Sequence, residues 1–170
     1  YEYNVESLAR TERWAKRSLD ELKKHCDDLG YHQSLYGVIQ GGRWEDLRRS
    51  TCKKYAQMDF DGYGLGGAFL KETLGDILTW CNEELPENKP RHLLGLSHPD
   101  DILIGTENGA DTFDCVAPTR DARHGRLYTM QCPINLSKYR DIDDIIDEGC
   151  DYPQSISNLL LYIIFALSSV

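Results

Sequence analysis

The stretch "SLYGVIQGG", residues 34–42, and its counterpart "DGYGLGGAF", residues 61–69, decide the fold. Each is a short, largely apolar run that ends in paired glycines. Between them lies "WEDLRRSTCKKYAQM", residues 44–58, which is patterned as a helix. The rhythm then repeats. "KETLGDILTWCNEEL" (71–85) is helical, with Lys71 or Thr73 near its start and Pro86 after its end. "PRHLLGLS" (90–97) reads as a third strand. "HPDDILIGTENG" (98–109) is a short helix with Pro99 in its first turn and Gly109 as its stop. "DTFDCVAP" (111–118) reads as a fourth strand. Upstream, Val5, Leu8, Trp14, Leu19 and Leu22 recur at helical spacing over residues 2–28, with Gly30 as a stop.

Strand and helix alternating at about 20–30 residues per unit predict parallel strands joined by crossover helices. The strands read as apolar throughout, which predicts cover on both faces. A doubly wound open sheet and a (β/α)8 barrel both satisfy this pattern. The polar positions favour the barrel. Gln40, Gly66-Gly67, Gly95 to Ser97 and Asp114 all fall at or just past the carboxyl ends of their strands. In a barrel those ends meet around one mouth, where chemistry is built. The expected fold class is therefore α/β, of the (β/α)8 TIM-barrel type. A whole barrel takes ~250 residues. This chain of 170 residues is thus expected to hold roughly the second half, an incomplete barrel, over residues 1–150, followed by an atypical apolar tail at 151–170.

Bulk composition narrows the function. Hydrophobic residues make up 41% and charged residues 28%, as in ordinary globular proteins. The net charge of −9 means that any RNA contact must come from a local basic patch. Cys26, Cys52, Cys81, Cys115, Cys132 and Cys150 are spread singly, which predicts reduced thiols and a cytoplasmic location. The uncharged tail "NLLLYIIFALSSV" has an apolar centre, Leu159–Leu167, far shorter than the ~20 residues of a membrane-spanning helix. No membrane role is expected. Residue 1 is Tyr, which predicts a piece of a longer chain.

The chemistry concentrates in "GADTFDCVAPTR", residues 109–120. Asp114 interrupts an apolar strand. It reads either as a strand-end carboxylate pairing with Arg120, or as a nucleophile or general base in a partly dry pocket. A carboxylate so placed can attack an electrophilic sugar carbon. Gln40 offers a donor and an acceptor to an amide-like ligand edge, or simply serves a turn. Gly66 and Gly67 allow close backbone approach. They do not form a dinucleotide fingerprint, because no GxGxxG opens a helix. Arg120, Arg123, His124 and Arg126 form a basic loop after Asp114, suited to an anionic polymer such as RNA or to offsetting nearby acids.

In order and spacing, "YGVIQGGRWEDLRRS", "FDGYGLGGAF", "KPRHLLGLSHPDD" and "GADTFDCVAPTRDARHGRLYT" closely resemble the tRNA-guanine transglycosylases, the queuine or archaeosine tRNA-ribosyltransferases. The resemblance runs from about residue 1 to 150 and makes residues 1–150 a transglycosylase-like half-barrel. It implies exchange of a guanine in tRNA for a 7-deazaguanine of the queuine or preQ1 type. Asp114 would be the catalytic nucleophile, forming a covalent ribosyl-aspartate. Gln40, Gly66 and Gly67 would bind the base, with Leu94 on the pocket wall. Gly95, Leu96, Ser97, His98, Pro99, Asp100 and Asp101 would contact RNA, as would Thr119, Arg120, Asp121, Ala122 and Arg123. The implied partners are tRNA, the 7-deazaguanine base and a second copy or partner subunit.

The sequence departs from the family in three places. A general acid/base aspartate and a second base-binding aspartate belong to a half that this stretch lacks, so the chain alone is expected to be inactive. The family's structural zinc uses C-x-C-x-x-C and a later His. Only Cys150 fits here, with Tyr152 and Ser155 at the next two positions, so no metal and no cofactor are expected on this chain. The apolar tail replaces the family's usual terminal helix and resembles misjoined coding sequence. Two other readings remain. One is a non-catalytic RNA-binding or partner subunit, which would have no need of Asp114. The other is a barrel glycosidase, which the basic segment after Asp114 disfavours.

Overall fold

A computed structural model describes residues 1–28, 30–67, 71–96, 98–128 and 133–135. The chain falls into two compact units, Tyr1–Cys115 and Val116–Val170. In the first, a long helix α1 (Glu2–His25) precedes strand β1 (Tyr36–Ile39), helix α2 (Glu45–Ala56), β2 (Gly62–Leu65), α3 (Leu74–Asn82), β3 (Arg91–Leu94), α4 (Pro99–Glu107) and β4 (Thr112–Asp114). The strands form one parallel sheet in the order β1-β2-β3-β4. Helix α3 packs against both α2 and α4. A doubly wound sheet reverses its strand order and splits its helices between two faces. Here the order runs straight through, with no reversal among the four strands, and α3 packs against its neighbours on either side.

Local sequence explains each helix. In α3, Leu74, Ile77, Leu78 and Cys81 recur at i, i+3, i+4 and i+7, and all four are buried. Fully burying one such leucine or isoleucine contributes about 1.5–3 kcal/mol. Helix α2 starts with Glu45 and Asp46 and ends with Lys53 and Lys54, matching the helix dipole at both ends. Its inner face brings Cys52 against Cys81 of α3. The hydrogen bond with Cys81 and the dry surroundings push the Cys52 thiol up, so it stays protonated and inert. Helix α4 begins at Pro99, and the His98 side chain accepts a hydrogen bond from the Asp100 N–H.

The expectation of strands covered on both faces holds for β2, whose four residues are all buried, and fails for β1. β1 alternates exposed and buried residues: Gly37 and Ile39 are buried, while Tyr36 and Val38 are each 37% exposed. β3 alternates buried and half-buried residues, and in β4 Thr112 and Asp114 are exposed on either side of a half-buried Phe113. One face, bearing Ile39, Tyr63, Leu65 and Leu93, packs into the core with Leu74, Ile77 and Leu78. The other face carries Val38, Gly64, His92, Leu94 and Thr112. The apolar look of these strands arises because, beside His92, Thr112 and Asp114, the second face carries glycine and aliphatic residues.

Other boundaries are corrected too. α1 ends at His25, followed by a tighter turn over Cys26–Asp28. A similar turn, Lys71–Thr73, precedes α3. β4 stops at Asp114 instead of continuing to Pro118. In the second unit, Ala117–Arg123 forms a short helix, α5, where a basic loop was expected. Pro118 lies in its first turn, where proline lacks no needed N–H. A hairpin of β5 (Arg126–Tyr128) and β6 (Pro133–Asn135) follows, in a stretch where the sequence pattern fades. The apolar tail lies outside the described residues.

At the amino end of the sheet, a two-bond ring occurs twice. Asp61 donates its N–H to the Leu35 carbonyl (2.9 Å), and its Oδ2 accepts the Leu35 N–H (2.8 Å). Asp111 repeats this with Arg91 at 2.9 and 2.7 Å. Each carboxylate seals the entrance of the preceding strand. The Leu35 N–H bond, with help from His32, holds the Asp61 carboxyl below its ordinary value.

Candidate active site

The parallel register places the singled-out residues in one row. Leu94 pairs with Asp114 across β3 and β4. Ile39, Leu65 and Leu93 are aligned across β1, β2 and β3, and Gln40, Gly66 and Leu94 each follow one step later. Gln40, Gly66, Leu94 and Asp114 therefore stand side by side at the carboxyl end, on the face away from the helices. Strands lie about 4.8 Å apart, so the row spans roughly 14 Å.

Two glycines make close approach possible. A Cβ added at Gly66 would lie 3.1 Å from Gln40 Nε2 and 3.3 Å from Leu94 Cδ1. One added at Gly67 would lie 2.8 Å from Arg48 Nη2, and Gly67 has φ +114°, which other residues rarely adopt. The sequence reading named these glycines and missed the arginine behind them. Arg48 is fully buried. Its Nε donates to the Gly42 carbonyl (2.9 Å), and its Nη1 to Ile39 (3.2 Å) and Gly66 (2.8 Å). One guanidinium thus ties the loop after β1 to the loop after β2. Burial pulls its pKa below the ordinary value, yet an arginine remains charged. The available signal was an arginine within the helix face that also carries Leu47, Thr51, Cys52 and Tyr55.

A cavity of about 530 Å³ opens beside these loops. Gln40, Gly42 and Gly67 line it with Tyr1, Asn4, Arg43, Trp44 and Thr73. The Trp44 ring has Arg43 stacked over it at 5.1 Å and the edge of Tyr1 at 5.2 Å, and the Tyr1 hydroxyl donates to Asp46. An aromatic wall, an amide side chain and exposed backbone suit a flat, polar heterocycle.

Asp114 does not line this cavity, and it is not in a dry pocket. Its side chain is 58% exposed. Oδ1 accepts from His92 Nε2 at 2.9 Å and from the Gly95 N–H at 3.4 Å, while the Asp114 carbonyl accepts the Gly95 N–H at 3.1 Å. Gly95 and Leu96 follow β3, and His98, Pro99, Asp100 and Asp101 open α4. Ser97 lies outside the described residues. Thr119, Arg120, Asp121, Ala122 and Arg123 lie on α5 in the second unit, with Arg120 and Arg123 exposed. Among the described residues, no group of three His, Cys, Asp or Glu side chains could hold a metal, and no helix is long and apolar enough to cross a membrane. Cys150, Tyr152 and Ser155 lie outside the described residues, and only the first offers a thiolate.

Comparison with known proteins identifies the family. The family model described as queuine tRNA-ribosyltransferase matches residues 1–158. A queuine tRNA-ribosyltransferase of Lawsonia intracellularis is 43% identical over 155 residues, covering 88% of this chain and 41% of that protein. That of Clostridium tetani is 39% identical over 160 residues, covering 89% and 43%. That of Haemophilus influenzae is 38% identical over 156 residues, covering 89% and 40%. The chain spans about two fifths of the length of these relatives. With nearly its whole length inside that family model, the chain belongs to the queuine tRNA-ribosyltransferase family.

Proposed function

We propose that this chain carries the nucleophile and part of the base-binding wall of an enzyme that exchanges guanine in tRNA for a 7-deazaguanine base. The observation that supports this most is the single row of Gln40, Gly66, Leu94 and Asp114 at the carboxyl end of a parallel sheet. Asp114 attacks the ribose C1′ through a carboxylate oxygen. The C1′–N9 bond breaks, and its electron pair leaves with guanine. The incoming base reverses the step and frees the carboxylate. Gln40, Gly66 and Gly67 hold the base edge, and Leu94 packs against it. Gly95 to Asp101 and the helix segment Thr119 to Arg123 contact the RNA, with the two arginines on phosphates or base edges.

The four β/α units form part of a (β/α)8 barrel. The chain by itself does not turn over, because general acid/base chemistry needs a second group near the base. The reading calls for no metal or cofactor from this chain. The reaction takes place where tRNA is found, in the cytoplasm, with a second copy or partner subunit completing the assembly.

The test is a chimera in which this chain replaces the matching stretch of the Lawsonia intracellularis enzyme. With tRNA and a 7-deazaguanine, the chimera should give a tRNA–protein adduct that survives denaturing electrophoresis. Asp114→Asn should remove that adduct. Adduct formation by the Asn variant would refute the assignment.

A further inference from the structure

His92 lies on the open face and has no part in the proposed reaction as described so far. It pairs with Thr112 in the sheet, one row below Leu94 and Asp114. Its imidazole is engaged at both ends. Nδ1 lies 2.8 Å from Thr112 Oγ1, and Nε2 lies 2.9 Å from Asp114 Oδ1. The ring is only 24% exposed, although the carboxylate it meets is open to solvent. Three side chains on two adjacent strands thus form a continuous chain, Thr112–His92–Asp114.

We propose that His92 is a positioning residue that clamps Asp114 Oδ1 and leaves Oδ2 as the attacking oxygen. This rests on Asp114 being the nucleophile. An ionised carboxylate only accepts, so Nε2 must carry the proton. In the neutral ring, Nδ1 then accepts from the Thr112 hydroxyl, which can rotate to donate. The Gly95 N–H, 3.4 Å from Oδ1, lies on the same oxygen. Both donors therefore converge on Oδ1, and Oδ2 takes no hydrogen bond from the described residues. A carboxylate on an exposed strand end otherwise samples several rotamers, each of which turns a different lone pair to the substrate. Fixing one of them is the geometric part of catalysis. The clamp is built on strands, which hold a side chain more rigidly than a loop does. When Oδ2 bonds to C1′, Oδ1 becomes the ester carbonyl and keeps the same Nε2–H donor, so the clamp spans both half-reactions without moving a proton.

The experiment reads the clamp first without any chemistry. The whole chain, labelled with ¹⁵N-histidine, is examined by long-range ¹H–¹⁵N correlation at a pH where the ring is neutral. The expected His92 pattern is a protonated Nε2 and a bare Nδ1. Thr112→Val and Asp114→Ala should each shift it toward a mixture of tautomers. A protonated Nδ1, or a pattern indifferent to both substitutions, would overturn the clamp. The second arm uses the chimera. His92→Gln can still offer an N–H to Oδ1 and should keep the adduct rate within about threefold, whereas His92→Leu should lower it by about tenfold or more at unchanged melting temperature. That is the range in which loss of one oriented donor falls. Equal rates for the two variants would remove His92 from the mechanism while leaving Asp114 in place. A persisting adduct in Asp114→Asn would instead remove the nucleophile assignment itself.

Discussion

The two ends of the same sheet use the same side chain in opposite ways. At the amino end, Asp61 and Asp111 are spent on the backbone, each closing a ring with the residue that enters the neighbouring strand. At the carboxyl end, Asp114 leaves one oxygen open and sits where solvent reaches it. Asp61 accepts the Leu35 N–H at Oδ2 and meets His32 Nε2 at Oδ1, whereas Asp111 accepts the Arg91 N–H at Oδ2. The two ends differ in what the carboxylate meets: the backbone N–H of a strand entrance at the amino end, and chiefly the His92 side chain at the carboxyl end.

Exchanging roles is the strongest way to break this comparison. Asp114→Asn should abolish adduct formation in the chimera while leaving its melting temperature unchanged. Asp61→Ala should do the reverse. If Asp114→Asn melts markedly lower, the carboxyl-end acid is structural as well. Next in size is Arg48→Met. It removes the donor to three carbonyls, those of Ile39, Gly42 and Gly66, and should cost about 3 kcal/mol in urea unfolding. Gly67→Ala follows, at about 1–2 kcal/mol, because it forces a Cβ into a left-handed backbone against Arg48. Asp61→Ala should cost about 1 kcal/mol, from the lost Leu35 and His32 bonds.

The smallest effect lies far from either end. Glu12 on α1 binds Lys16 at 2.9 Å and Lys54 of α2 at 2.8 Å. These bonds lower its carboxyl from the ordinary 4.5 to about 2. A depressed carboxylate contributes stability above its ordinary value and loses it as the pH falls toward the folded value. Between pH 4.5 and about 2, Glu12→Gln should therefore flatten the acid loss of stability, by about 0.5 kcal/mol for a pair this close to solvent. An unchanged acid limb would show that the contact between α1 and α2 rests on packing alone.

The alternation of elements could be read from the residues, because glycines and polar side chains punctuate every strand end. The direction of the open face could not. Val38 and Leu94 look like core residues in a linear sequence, and only pairing shows that they share a face with His92 and Asp114. The second unit was misread for a related reason. Pro118 stops a strand, yet it also opens a helix, and the residues after it follow the second rule. At the site, Gln40, the glycines and Asp114 stood out by type. Arg48 and His92 did not, since a helical arginine and a strand histidine gain meaning only from the carbonyls and the carboxylate they meet.

The paired rings at Asp61 and Asp111 also bear on how the protein is made. Each ring joins a strand entrance to a residue synthesised later, Leu35 to Asp61 and Arg91 to Asp111. On the ribosome, the entrances of β1 and β3 thus stay unlatched until Asp61 and Asp111 emerge. At these two junctions assembly follows synthesis, with the later-made unit of each pair fastening the earlier.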